Sequence, residues 1–137
     1  GKVEFLAETY YHSLSYFYSI QEFEHQVARH AHTVKRLFGF TPQTLRNSEL
    51  AYTNTLAAWA SRKKYKAVLM EGWDPILGWR SPTFVYKPPR GKVALLLKHY
   101  KLSDDIAFRF HDSSWAGWPS AGAGKYRGPC SPGPGSV

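Results

Sequence analysis

The chain has 137 residues, 43% of them hydrophobic and 16% aromatic, and a net charge of +8. That length holds one domain or a piece of one, and the apolar content is enough for a core, which excludes disorder over most of the chain. No apolar run approaches the roughly 20 residues of a membrane span, no signal peptide is visible, and the single cysteine, Cys130, excludes an internal disulfide and a thiolate metal cluster.

The first residues already read as a strand, so the true N-terminus is expected upstream of Gly1, and the expected location is cytoplasmic. Val3-Glu4-Phe5-Leu6-Ala7 is apolar on both faces near its middle, as a parallel strand covered by helices would be. Glu4 and Glu8 share a face by the two-residue period. Thr9-Tyr10-Tyr11-His12-Ser13 then forms an aromatic, hydroxyl-rich turn. A single histidine at a strand end fits either a hydrogen-bonded structural role or a place in a site.

Ser19 and Glu22 have capping-box spacing, and Tyr18 and Phe23 that of a hydrophobic staple. Phe23, Val27, Ala31, Val34 and Phe38 recur at helical spacing, and Gly39 is placed to close the helix. His25, His30 and His32 lack the three- or four-residue spacing that would put them on one face, so they read as surface or boundary residues and not as metal ligands.

Leu45 to Leu50 reads as a short strand ending in Glu49, with Arg46 and Asn47 as flanking hydrogen-bond donors. It reads equally as a helix start, with Ser48 capping and Glu49 complementing the dipole. Thr53 is the expected N-cap of a helix running to about Lys63, with Leu56, Ala57 and Ala60 inward. Ala67-Val68-Leu69-Met70 is a strand buried on both faces that also ends in a carboxylate, Glu71. Glu8, Glu49 and Glu71 therefore fall at three strand ends, which right-handed crossovers would gather on one rim of a parallel sheet, where ligands bind.

The long segment from Gly72 to Lys92 carries Trp73, Asp74, Trp79, Arg80 and Tyr86. Its tryptophans fit a platform for a sugar ring or a cover for the sheet rim. Val93 to Leu97 and Ile106 to Phe110 read as two further strands, and their connection is too short for a helical crossover, so they are not adjacent parallel strands. Ala121 to Val137 is rich in Gly, Pro and Ser and is expected to be disordered. The basic runs Arg62 to Lys66 and Lys87 to Lys92 are patterned as solvated helix ends and loops, and no nucleic acid or membrane partner is expected from them.

Leu45-Arg46-Asn47-Ser48-Glu49-Leu50, with Gly1-Lys2-Val3-Glu4-Phe5-Leu6 before it, resembles two stretches of glycoside hydrolase family 57, and most of all its α-amylase-type members. The turn Glu8 to Ser13, Leu77-Gly78-Trp79-Arg80-Ser81-Pro82, and Leu102 to Phe110 resemble the same group. The likeness covers about residues 1–118. It implies an α/β fold, a portion of an incomplete (β/α)7 TIM-like barrel over 1–118, with a disordered or out-of-frame tail over 119–137. It implies action on α-1,4-glucans or maltooligosaccharides with retention of configuration, with Glu49 as nucleophile and Glu4 in or near the substrate site. Glu8, His12, Arg46, Glu71, Trp73, Asp74, Trp79 and Arg80 complete the expected substrate-binding set, with no metal and no cofactor.

The family's His-Gln-Pro-type stretch and the later strand bearing the acid/base aspartate are absent here. Asp74, Asp104, Asp105 and Asp112 do not match that strand. A retaining glycosidase needs two carboxylates about 5–5.5 Å apart, so the chain is expected to be an internal fragment of a hydrolase, inactive alone. A 4-α-glucanotransferase fragment is the alternative within the class. A module binding single-stranded nucleic acid through stacked Tyr and Trp is the alternative outside it.

Overall fold

The computed structural model describes residues 3–110; the expectations for Asp112, Cys130 and the tail lie outside these. One unit runs from Gly1 to His99 and a second from Tyr100 onward. In the first, a 3-10 turn (Ser15–Phe17) leads into α1 (Ile20–Phe38). Then come β1 (Thr44–Arg46), a second 3-10 turn (Ser48–Leu50), α2 (Asn54–Arg62), β2 (Ala67–Met70), the single turn α3 (Asp74–Leu77) and β3 (Ala94–Leu97).

Both long helices begin and end where local chemistry directs. The Ser19 hydroxyl accepts from the Glu22 N–H at 3.3 Å, and Gly39 closes α1 in the left-handed region (φ 79°) with its N–H on the Lys35 carbonyl. The Thr53 hydroxyl accepts from the Leu56 N–H at 3.1 Å and starts α2. The staple uses a different residue from the one expected. Tyr18 is exposed, and Tyr16, lifted by the 3-10 turn, packs edge-on against Phe23 at 5.1 Å.

The three strands are parallel in the order β1-β2-β3, with Leu45 beside Val68 and Val68 beside Leu95. That row packs with Phe23 and Val27 of α1 and with Leu56, Ala57, Trp59 and Ala60 of α2 in one core. Burying each large side chain there contributes roughly 1.5–3 kcal/mol. Trp59 joins the helices, its ring 4.8 Å from Phe23 and its indole N–H donating to Glu24 of α1 at 2.7 Å. By strand alternation the neighbouring row, Arg46, Leu69 and Leu96, lies on the other face, half-buried.

Two expected strands take other forms. The first shrinks to a parallel bridge at Ala7, whose N–H donates to Thr44 and whose carbonyl accepts from Arg46, both at 2.8 Å. Upstream, Phe5 stacks on Phe38 at 4.1 Å and lies beside Phe40, so aromatic packing at the end of α1 replaces a longer ladder. In the second unit, Tyr100–Asp104 is helical (α4) and Asp105–Arg109 continues it as a π-helical turn, where a strand over Ile106 to Phe110 was expected. Ile106, Phe108 and Phe110 stay exposed, and local helical bonds satisfy the backbone. Asp105 and Arg109 pair at the four-residue spacing of a helix, which the alternating apolar pattern had masked.

The segment between β2 and β3 is held at both ends. Gly72 is buried against Lys98, and Tyr86 pairs antiparallel with Leu95 on the side of β3 away from β2. Among the described residues no helix is long and apolar enough to cross a membrane.

Candidate active site

Where Ala7 leaves β1, the chain turns sharply through Thr9 to His12, the His12 N–H returning to the Thr9 carbonyl at 3.1 Å. The Thr9 hydroxyl accepts from the Ser13 N–H and meets the Ser48 hydroxyl at 2.7 Å, with both residues buried. This pair pins the turn after the first segment to the turn after β1. In that second turn, buried Asn47 donates to the Ala51 carbonyl at 3.0 Å, and the N–H groups of Leu50 and Ala51 return to Asn47 and Ser48. Ser48 is thus an internal tie, and the helix cap lies at Thr53. Asn47 braces its own loop through this bond.

The turns bring together side chains from three places. Glu8 Oε1 accepts from Arg46 at 2.8 Å and lies 2.7 Å from His12 Nδ1, while His12 Nε2 lies 2.7 Å from Glu49 Oε1. Charge alternates along Arg46, Glu8, His12 and Glu49. The hydrogen bond to Glu49, then the one to Glu8, raises the His12 pKa above its ordinary 6.5, and the bond from His12 followed by its charge lowers that of Glu49 below 4.5. Glu49 is therefore an anion at neutral pH, with its side chain 72% exposed. Backbone angles at His12 (φ 52°), Glu49 (φ 55°) and Leu50 (φ 53°) all lie in the left-handed region, which costs non-glycine residues energy and clusters at functional sites.

Around this group the expected residues divide. Glu4, upstream of the bridge at Ala7, accepts from Thr44 Oγ1 at 3.1 Å. Glu71 follows β2; its N–H reaches the Leu50 carbonyl at 3.3 Å, and its buried Oε2 has no hydrogen-bond partner among the described residues. Trp73 and Trp79 are exposed, and neither they nor Asp74 form a hydrogen bond or ion pair with the Glu8–His12–Glu49 group. Arg80 donates to the carbonyls of Ile76 and Leu77 and closes α3. No three His, Cys, Asp or Glu side chains among the described residues gather as metal ligands would.

An ionised, accessible carboxylate with one oxygen held and the other open suits attack on an electrophilic carbon or stabilisation of a developing cation. Its lowered pKa unsuits it as a general acid. Residues 1–128 match the description "Glycosyl hydrolase family 57". The chain belongs to glycosyl hydrolase family 57. A Methanocaldococcus jannaschii protein named "Putative alpha-amylase" is 45% identical over 120 residues, which are 87% of this chain and 26% of the relative. The chain thus spans about a quarter of that relative's length. No solved structure matches it.

Within this family 57 chain, the Thr9–Ser48 tie and the left-handed histidine are the features that sequence reading missed. The hydroxyls are 39 positions apart, and no local spacing signals their contact.

Proposed function

We propose that this chain supplies the nucleophile and part of the substrate face of a retaining, α-amylase-like glycoside hydrolase acting on α-1,4-glucans. The parallel sheet with its helices would be a portion of an incomplete (β/α)7 barrel, its catalytic part spanning about residues 1–118; the family match itself runs on to residue 128. The observation that carries the reading is Glu49: ionised, exposed, held through one oxygen, and placed on a strained turn after a parallel strand.

In this mechanism Glu49 Oε2 attacks the anomeric carbon as the leaving oxygen is protonated, giving a covalent glycosyl-enzyme that water later releases. The acid/base would come from another segment of the enzyme. Glu71, whose buried Oε2 has no partner among the described residues, would accept from a sugar hydroxyl, and the exposed faces of Trp73 and Trp79 would pack against sugar rings. Without the acid/base, the 137-residue chain is expected to release no reducing ends from maltoheptaose.

The test uses a full-length enzyme containing this segment and a maltosyl fluoride bearing a second, ring-bound fluorine. Fluoride departs without protonation, and the ring fluorine slows hydrolysis of the intermediate. Mass spectrometry should find the sugar on Glu49; a label on another carboxylate overturns the assignment. Lengthened products from maltooligosaccharides would mark the parent as a glucanotransferase.

A further inference from the structure

The two ring nitrogens of His12 each lie 2.7 Å from a carboxylate oxygen, Nδ1 from Glu8 and Nε2 from Glu49. A neutral imidazole has one N–H and one lone pair, so it satisfies only one such contact and turns its lone pair on the other anion. Two simultaneous contacts to ionised carboxylates require the imidazolium. Arg46 donates to the same Glu8 oxygen at 2.8 Å, so that oxygen already accepts one hydrogen bond when it meets Nδ1.

We propose that His12 is a positioning residue for the nucleophile: as an imidazolium it grips Oε1 of Glu49 and leaves Oε2 to attack, so the site works only while His12 carries both ring protons. This rests on the reading of Glu49 as nucleophile.

Three observations support the role. Both bridging contacts use single oxygens, Oε1 of Glu8 and Oε1 of Glu49, and Glu49 Oε2 makes no hydrogen bond among the described residues. The backbone is bent into the left-handed region at both His12 and Glu49, and the buried Thr9–Ser48 hydroxyl bond beneath holds their turns together. An ordinary exposed ion pair has little net worth and needs no such backbone. The charged groups facing the imidazole are Glu8 from its own segment and Glu49 from the turn after β1, with Arg46 of β1 behind Glu8. Two carboxylates in direct contact with the ring, against one cation that reaches it only through Glu8, favour the charged ring, in line with the upward direction of its pKa.

Two measurements test this. In the 137-residue chain, an NMR titration should place His12 above 6.5, and Glu49→Gln and Glu8→Gln should each lower it; an unchanged His12 titration in Glu49→Gln overturns the proposal. In the full-length enzyme, the rate of labelling by the fluorinated maltosyl fluoride is followed against pH. That reagent needs no general acid, so its alkaline limb reports the nucleophile's surroundings. The wild-type rate should fall as pH rises through the His12 pKa. His12→Gln should label at least about tenfold more slowly, with that limb gone. A His12→Gln enzyme with the wild-type rate and limb overturns the proposal, and the Glu49→Gln titration decides it if His12→Gln does not fold. Label on Glu49 with an uncoupled His12 sinks this inference alone; absence of label from Glu49 sinks the nucleophile assignment, and this inference with it.

Discussion

His12 and Glu49 are 37 positions apart in the chain and 2.7 Å apart in space, and both hold left-handed backbone angles to meet. The contact links the turn that leaves the first segment to the turn that leaves β1, and it raises the pKa of His12 and lowers that of Glu49.

That contact makes stability depend on pH from both sides. The His12 pKa is raised, so its contribution is complete below 6.5 and is lost as pH rises through the higher folded value. The Glu49 pKa is lowered, so its contribution is complete above 4.5 and is lost as pH falls through the lower folded value. The pair should therefore help most between pH 4.5 and 6.5. Melting temperatures of wild type and His12→Gln should differ most in that window and converge on either side. A constant difference across pH would show that the two groups are not coupled.

Glu49→Gln keeps the shape of the side chain but removes the anionic oxygen. In a full-length enzyme it should lower turnover of α-glucan at least ~10³-fold while changing glucan affinity only a few-fold. Steady-state kinetics paired with calorimetric binding to maltoheptaose read the two effects separately. Near wild-type turnover would remove Glu49 from the nucleophile role.

Gly72 should tolerate no side chain. A Cβ there would lie 2.2 Å from the Lys98 carbonyl oxygen and 3.3 Å from Pro82 Cβ. The Lys98 backbone is itself tied to Met70 at 2.9 Å, so it moves only by loosening the end of the β2–β3 ladder. Gly72→Ala is expected to cost about 1–3 kcal/mol. Gly39→Ala, where a Cβ meets nothing within 4 Å, should cost only the backbone term of about 1–2 kcal/mol. Urea denaturation of the two variants compares them directly, and a Gly72→Ala chain as stable as the wild type would contradict the packing argument.

Thr53→Ala removes the side-chain bond to the Leu56 N–H and should destabilise the chain by ~1 kcal/mol. Thr53→Ser keeps the acceptor oxygen and should recover most of the loss. Because Leu56, Ala57 and Ala60 are all fully buried, a frayed start to α2 disturbs the core, and slow amide exchange in α2 should be lost with the cap. Unchanged exchange in Thr53→Ala would mean that packing alone holds the helix start.

Short-range chemistry is legible along the chain. Ser19, Gly39 and Thr53 mark helix ends because a cap acts within three or four residues. Ala67 to Met70 reads as a parallel strand because its apolar run is continuous, and it pairs in parallel on both sides, with Ala67 and Val68 buried and Leu69 and Met70 half-buried where burial on both faces was expected. The motif around Glu49 gave the family resemblance directly. Long-range packing settled the other elements. Phe5 left the strand for Phe38, and Ile106 to Phe110, alternating like a strand, joined a helical turn. His12 became a bridge between two carboxylates only when Thr9 and Ser48, 39 positions apart, joined the turns beneath it. Contacts at that separation leave no periodic trace in the chain, because they are selected by the packing of whole elements and not by the neighbours of either residue.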